Sequence, residues 1–197
     1  VGGREPEPFA KGDWPAPPAA PADRPRSPYA VLHVGASTAL KQWAPDRWAA
    51  LADALAKRDL AVVWSAGRGE EPIVDRCDPA RRHASVAGRL DLAQLWHLLA
   101  GAALLVSPDT GVAHLGRTTF TPTVTLFGPG SALICGPGRF WRDTPGRAVT
   151  VDPFPCRDQA ILFRRELASQ CAEPKCMQAI GVDAVLAAAD DLLATRP

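Results

Sequence analysis

The chain lacks a surplus of charge of either sign: 22 Lys and Arg stand against 21 Asp and Glu, a net charge of +1 over 197 residues. With no basic excess to neutralise a phosphate backbone, nucleic acid is not an expected partner. A long apolar run is also missing. The longest apolar region, Leu92 to Val106, is broken by Gln94, His97 and Gly101. It falls short of the roughly 20 residues a spanning helix needs, so no transmembrane segment is expected. The first residues hold no apolar signal core, and the five cysteines are too few and too scattered for a disulfide framework. Both absences point to a reducing cytoplasm, with peripheral contact at the inner membrane left open. Cys156, Cys171 and Cys176 form no Cys-x-x-Cys pair and no histidine follows them, so reduced thiols rather than metal ligands are expected. What the chain does have is 47% hydrophobic residues, enough for one sizeable core.

The first boundary is compositional. Up to Pro28 the chain is crowded with proline, alanine and charge, which predicts an extended linker over residues 1–28 ahead of a domain spanning 29–197. Beyond it, apolar runs alternate with helical periodicity, the pattern of an α/β protein with a doubly wound, Rossmann-like parallel sheet. Strands are predicted at Tyr29 to Val34, Leu60 to Trp64, Ala84 to Ala87, Ala103 to Val106, Thr123 to Phe127 and Ala148 to Val151. Helices are predicted from Pro45, where Trp48, Leu51, Ala52 and Leu55 share a face, at Glu70 to Asp78, at Leu92 to Ala100 behind an Asp91 cap, near Gly111, and at Val182 to Leu193. Trp96 falls at helical spacing and is expected in the core. Trp141, in a glycine- and proline-rich loop, is a candidate for lining a ligand or interdomain cleft.

In such a sheet, ligands sit beyond the carboxyl ends of the strands. The loops that follow them carry Gly35-Ala36-Ser37 with Lys41, then Gly67 with Glu70, then Asp109-Thr110-Gly111-Val112-Ala113-His114, and lastly Gly128-Pro129-Gly130-Ser131. The segment from Asp109 is the most informative, because a buried strand gives way abruptly to an acid, a hydroxyl, a glycine and an imidazole. A helix beginning near Gly111 presents free N–H groups to an anion. Small residues allow close backbone approach, a lysine and hydroxyls suit phosphate oxygens, and two carboxylates can accept from sugar hydroxyls. That inventory matches a nucleotide sugar.

Each residue also has a plainer reading. His114 fits a helical histidine packed on a strand or bracing the loop, Asp109 a helix N-cap, Lys41 a solvated lysine, and Glu70 an acid favoured by a helix dipole. Other motifs fit less well. Gly67-Arg68-Gly69 follows a strand, but Pro72 stands where a dinucleotide fingerprint needs its third glycine. Gly35-Ala36-Ser37-Thr38-Ala39 is no nucleophile elbow, since its helix waits until Pro45. Neither Lys11 nor Lys41 belongs to a Walker loop.

Several of these motifs occur together and in order: Leu32-His33-Val34-Gly35-Ala36-Ser37, Lys41-Gln42-Trp43-Ala44-Pro45-Asp46-Arg47-Trp48, Gly88-Arg89-Leu90, Asp109-Thr110-Gly111 with His114, and Leu126-Phe127-Gly128-Pro129. In this the chain resembles the C-terminal, donor-binding half of glycosyltransferase family 9, the bacterial lipopolysaccharide heptosyltransferases and their relatives. The resemblance implies half of a two-domain GT-B enzyme. It also implies an ADP-sugar donor, typically ADP-heptose, and inverting transfer to a lipopolysaccharide-like or other glycan acceptor, without metal or cofactor. By the same resemblance Ser37 and Lys41 contact the donor diphosphate, Glu70 the ribose, Asp109 the sugar hydroxyls, and Thr110 and Gly111 the diphosphate, with His114 one turn further on.

The family's general base is an aspartate near the start of an N-terminal domain. Asp13, in the proline-rich stretch, does not match it, so no catalytic residue is assigned in this chain, and the acceptor-binding half is expected to be absent or supplied separately. Val34, Gly116-Arg117 and Gly130-Ser131 depart from the family pattern. Family members often carry cysteines near the C-terminus, which leaves a facultative Cys171–Cys176 disulfide as an alternative to free thiols. A binding module without catalysis and, further off, a hydrolase or epimerase are the competing functional classes.

Overall fold

The computed structural model describes residues 7–18, 24–26, 28–154, 169–171 and 173–195. Among these, β1 (Tyr29–His33), β2 (Ala61–Ser65), β3 (Ala84–Ser85), β4 (Leu104–Pro108), β5 (Thr123–Phe127) and β6 (Gly146–Thr150) build one sheet. Its order is β3-β2-β1-β4-β5-β6, and every neighbouring pair is parallel. The chain steps outward from β1 to β3, returns to lay β4 against the other side of β1, and steps outward again. That reversal opens a crevice at the carboxyl ends of β1 and β4, where loops on either side diverge.

The helices whose bounds lie within the described residues are α1 (Pro45–Ala56), α2 (Glu71–Cys77), α3 (Leu92–Ala100), α4 (Gly111–Thr118), α5 (Ala132–Cys135), α6 (Lys175–Gln178) and α7 (Val182–Ala194). Alternation along the strands sorts the core into two layers. Ala30 and Leu32 of β1, Val62 and Trp64 of β2, Leu104 and Val106 of β4, and Val124 and Leu126 of β5 pack with α1, α2 and α7. The intervening Tyr29, Val31, Val63 and Leu105 pack with Leu98 and Leu99 of α3, flanked by Val112 and Leu115 of α4. Strands buried on both faces are mostly apolar, which is why Tyr29–Leu32 of β1 and Leu104–Val106 of β4 read as continuous runs. Trp48, Leu51 and Leu55 of α1 are fully buried, each contributing about 1.5–3 kcal/mol of transfer free energy.

Local signals set the helix starts. Pro45 opens α1, where its missing N–H costs nothing. Asp91 and Gln94 form a reciprocal capping box on α3, with Gln94 N–H donating to Asp91 Oδ1 at 2.7 Å and Asp91 N–H to Gln94 Oε1 at 3.0 Å. Gly116 lets α4 lie close on the sheet, since a Cβ there would stand 2.4 Å from Leu105 Cδ2 and 2.6 Å from Thr123 Oγ1.

Four expectations change. Trp96 is only half-buried and belongs to neither apolar layer, because the face of α3 that meets the sheet is carried by Leu98 and Leu99. β4 runs on to Pro108, since Pro108 pairs with Leu126 of β5, and β6 is Gly146–Thr150 rather than Ala148 to Val151. Part of the proline-rich stretch packs rather than trailing free: Phe9 is buried and its N–H donates to Phe140 O at 2.8 Å. Cys171 and Cys176 are both thiols, and Cys156 lies outside the described residues.

Candidate active site

Four loops meet above the β1–β4 reversal, joined mainly by two carboxylates. Glu70 immediately precedes α2 but makes no cap bond to that helix. Its side chain turns back, so that Oε2 accepts from Gly67 N–H at 2.7 Å and Oε1 from Ala36 N–H at 3.0 Å. It thereby ties the β2–α2 loop to the β1–α1 loop. Gly35 makes this possible, since a Cβ at that position would lie 1.9 Å from Glu70 Oε2. The helix-dipole reading of Glu70 therefore gives way to a specific tie between loops.

Asp109 does the corresponding work at the end of β4, with a different kind of partner. Lys41 Nζ donates to both the Asp109 carbonyl and Oδ2 at 2.8 Å, with side-chain exposures of only 16% and 9%. Lys41 reaches this position from the 3-10 turn Ala39–Lys41, which is opened by Thr38 accepting from Leu40 N–H. Asp109 is not the N-cap of α4. Thr110 is, and its hydroxyl makes no cap bond, lying instead 3.2 Å from Ser107 Oγ. The first N–H groups of an α-helix have no intrahelical acceptor, and at Gly111 nothing stands within 4 Å of where a Cβ would be. The start of α4 is therefore an open array of donors beside an ammonium. On the fourth loop, Gly130 closes over Asp109, because a Cβ there would lie 2.4 Å from Oδ2.

Ser37 is exposed on the β1–α1 loop and is not bonded to the Lys41–Asp109 pair. His114 sits one turn into α4, half-buried. Its Nδ1 lies 3.5 Å from a guanidinium nitrogen of Arg117, and its ring is 6.4 Å from that of Trp141. Burial, chiefly, and then the Arg117 and Lys41 cations hold the imidazole below its ordinary pKa, with Asp109 opposing. Trp141 belongs to an aromatic group with Phe9 and Phe140, their centroids 5.1 and 4.9 Å away, so the N-terminal segment is brought against the site. Among the described residues no cluster of three His, Cys, Asp or Glu side chains is placed to hold a metal ion, and no helix is long and apolar enough to cross a membrane.

The structure thus brings Lys41, Asp109, Thr110, Gly111 and His114 together and sets Glu70 one loop away. It also adds Arg117, which sequence reasoning treated only as a departure. Arg117 is completely buried. It donates to Cys135 O at 3.1 Å and to Thr125 Oγ1 at 3.2 Å, while its Nε has no partner. Two signals point to it in the sequence: its spacing three residues after His114, and the buried threonines at 123 and 125, which give one face of β5 a polar stripe.

The chain is similar to known proteins in both sequence and fold. The family described as Glycosyltransferase family 9 (heptosyltransferase) matches residues 5–139. Lipopolysaccharide heptosyltransferase 1 of Pseudomonas aeruginosa is 35% identical over 107 residues, covering 53% of this chain and 30% of that protein. The chain therefore spans about a third of the length of the curated relatives it matches. Among solved structures, a glycosyl transferase family 9 protein from Veillonella parvula superimposes with a TM-score of 0.71 at 20% identity, covering 86% of this chain and 47% of that one. The Escherichia coli ADP-heptose lps heptosyltransferase II gives 0.70 at 20% identity, over 85% and 47%. At that identity the superpositions establish the shared Rossmann-like fold.

Proposed function

The chain belongs to glycosyltransferase family 9, and from that premise we propose that it is the donor-binding part of a heptosyltransferase-type enzyme that holds the diphosphate of an ADP-sugar at the start of α4. The observation that carries this reading is the placement of Lys41 Nζ, 2.8 Å from both Asp109 O and Asp109 Oδ2, beside the open N-terminus of α4. An ammonium and helix N–H groups on one side of a crevice form a site for a dianionic linker. Ser37 and Thr110 add hydroxyls, Asp109 accepts from the sugar, and Glu70, with both carboxylate oxygens on loop amides, shapes the ribose side of the crevice rather than contacting the ribose.

On this reading the acceptor hydroxyl attacks the anomeric carbon from the face opposite the diphosphate. The new C–O bond forms as the C–O bond to phosphate breaks, and ADP leaves with the electron pair. Lys41 and the α4 amides stabilise the charge growing on the departing diphosphate, because they are already oriented toward it. The acceptor's proton goes to a base on the acceptor-binding half, which we assign to a separate domain, together with recognition of a glycan or glycolipid. No metal or cofactor takes part, and the reaction is placed in the cytoplasm, at the periphery of the membrane that carries such an acceptor.

Calorimetric titration of the chain with ADP, UDP and GDP tests the proposal. ADP is expected to bind weakly and in preference to the other two, with no sugar transfer by this chain alone. Preference for uridine or guanosine nucleotides, or no nucleotide binding at all, would overturn it.

A further inference from the structure

We propose that Arg117 is a positioning residue for His114. Its guanidinium faces Nδ1, fixes the imidazole proton on Nε2 and keeps the ring neutral, so that the site presents a permanent Nε2–H donor to an anionic ligand rather than a titrating cation. The inference rests on the donor-site reading above for the identity of that ligand, a diphosphate. The state of the ring itself follows from this chain's own contacts.

The chemistry of the pair allows one arrangement. A guanidinium has five N–H donors and no acceptor, so the 3.5 Å approach of Arg117 to Nδ1 is favourable only when Nδ1 carries its lone pair. The neutral ring's proton is then on Nε2, for which no described residue offers a partner, so on a ring that is only half-buried that N–H is left for a ligand or water. Which tautomer a histidine adopts is set by the group its other nitrogen meets.

Arg117 is well suited to hold this position. It is fully buried on α4, and its other contacts, Cys135 O and Thr125 Oγ1, are neutral. No described carboxylate lies within ion-pair distance of it. A guanidinium fixed between β5 and α5 cannot swing out to meet the ligand, but its charge acts on what lies beside it. The charged and titratable groups facing His114 are Arg117 on its own helix, Asp109 on the β4–α4 loop and Lys41 on the β1–α1 loop. Cys135 on α5 faces Arg117, and Trp141 covers one side of the ring. Two cations against one carboxylate disfavour an imidazolium. Burial acts in the same direction, and the pKa is lowered accordingly.

Long-range nitrogen–proton correlation of the histidine rings in the intact 197-residue chain reads this directly. The expected wild-type result is an Nε2–H tautomer at His114 with a titration midpoint below the ordinary histidine value. In Arg117→Met the tautomers should mix and the titration midpoint should rise toward the ordinary histidine value. Arg117→Gln keeps a donor but loses the charge, so it should preserve the tautomer while still raising the midpoint. ADP affinity in Arg117→Met should then tighten as pH falls through the new midpoint, whereas the wild type stays flat there. An Nδ1–H tautomer in the wild type would overturn the inference, as would a tautomer and midpoint unchanged in both variants. A chain that fails to bind ADP would instead overturn the donor-site reading, and the ring measurement would still decide what Arg117 does.

Discussion

The two sides of the crevice hold their polar groups differently. At the ends of β1 and β2, Glu70 uses both carboxylate oxygens on main-chain amides of two loops, and His33 is buried against Ser65 Oγ at 3.1 Å. These groups are fully occupied by the protein and serve its shape. At the end of β4, Asp109 is held by the long side chain of Lys41, Thr110 leaves its helix uncapped, and only one nitrogen of His114 meets a side chain among the described residues. Those groups have partners that a ligand can replace. The β1/β2 side is therefore a fixed wall, and the β4 side is where an arriving anion would be exchanged for an internal contact.

The largest effect that would sharpen the contrast belongs to the wall. Burial lowers the pKa of His33 from its ordinary 6.5 to about 4, so the folded chain binds fewer protons than the unfolded chain between those values. The stability contribution is fully present above pH 6.5 and is lost as pH falls toward 4, amounting to about 3 kcal/mol. Urea denaturation across that window should show the loss, and His33→Asn should remove most of it. A wild-type midpoint flat from pH 6.5 to 4 would mean that His33 is not locked in.

Next in size is Lys41→Ala on the exchangeable side. Removing one charge-assisted contact to a diphosphate is worth about 1.5–3 kcal/mol, or roughly ten- to a hundredfold in ADP affinity by calorimetry. Urea stability should fall as well, because the Asp109 carboxylate, only 9% exposed, is left without its cation. Unchanged affinity would take Lys41 out of the site and break the contrast.

Glu70→Ala should cost stability alone. It leaves the N–H groups of Gly67 and Ala36 without their acceptor, at a cost of about 1–2 kcal/mol in folding stability. Glu70→Gln should recover little of it, since the amide turns one acceptor into a donor facing a donor. If Glu70→Ala weakens ADP binding but leaves stability intact, the carboxylate serves the ligand rather than the wall.

This difference also marks what could be read from the chain before its fold was known. Elements whose cause is local were legible: α3 behind its Asp91 cap, α1 opening on Pro45, and β5 at Thr123–Phe127. Boundaries that depend on a neighbouring strand were not. β4 continues through Pro108 only because β5 offers it Leu126. The chemistry-bearing residues were legible one at a time, as residue types following strand ends. Their pairings were not, because Lys41 meets Asp109 across 68 positions and Glu70 meets Ala36 across 34. Arg117 was the hardest, since a charged residue on a helix reads as solvent-facing until the polar stripe of β5 is seen beneath it.

The smallest effect is the one that most sharply separates the two carboxylates. Asp109→Asn keeps the shape of the side chain and an acceptor for Lys41 but removes the negative charge next to the anion site. A diphosphate no longer has to displace a carboxylate from Lys41, so ADP affinity should hold or rise by no more than a few-fold, under about 1 kcal/mol. If Asp109 also accepts from the donor sugar, an ADP-sugar should lose whatever advantage it has over ADP, because a neutral amide oxygen is the weaker acceptor. Titrating wild type and variant with both ligands separates the two contributions. Equal losses for ADP and ADP-sugar would mean that Asp109 belongs to the wall, fixing the loop just as Glu70 does across the crevice.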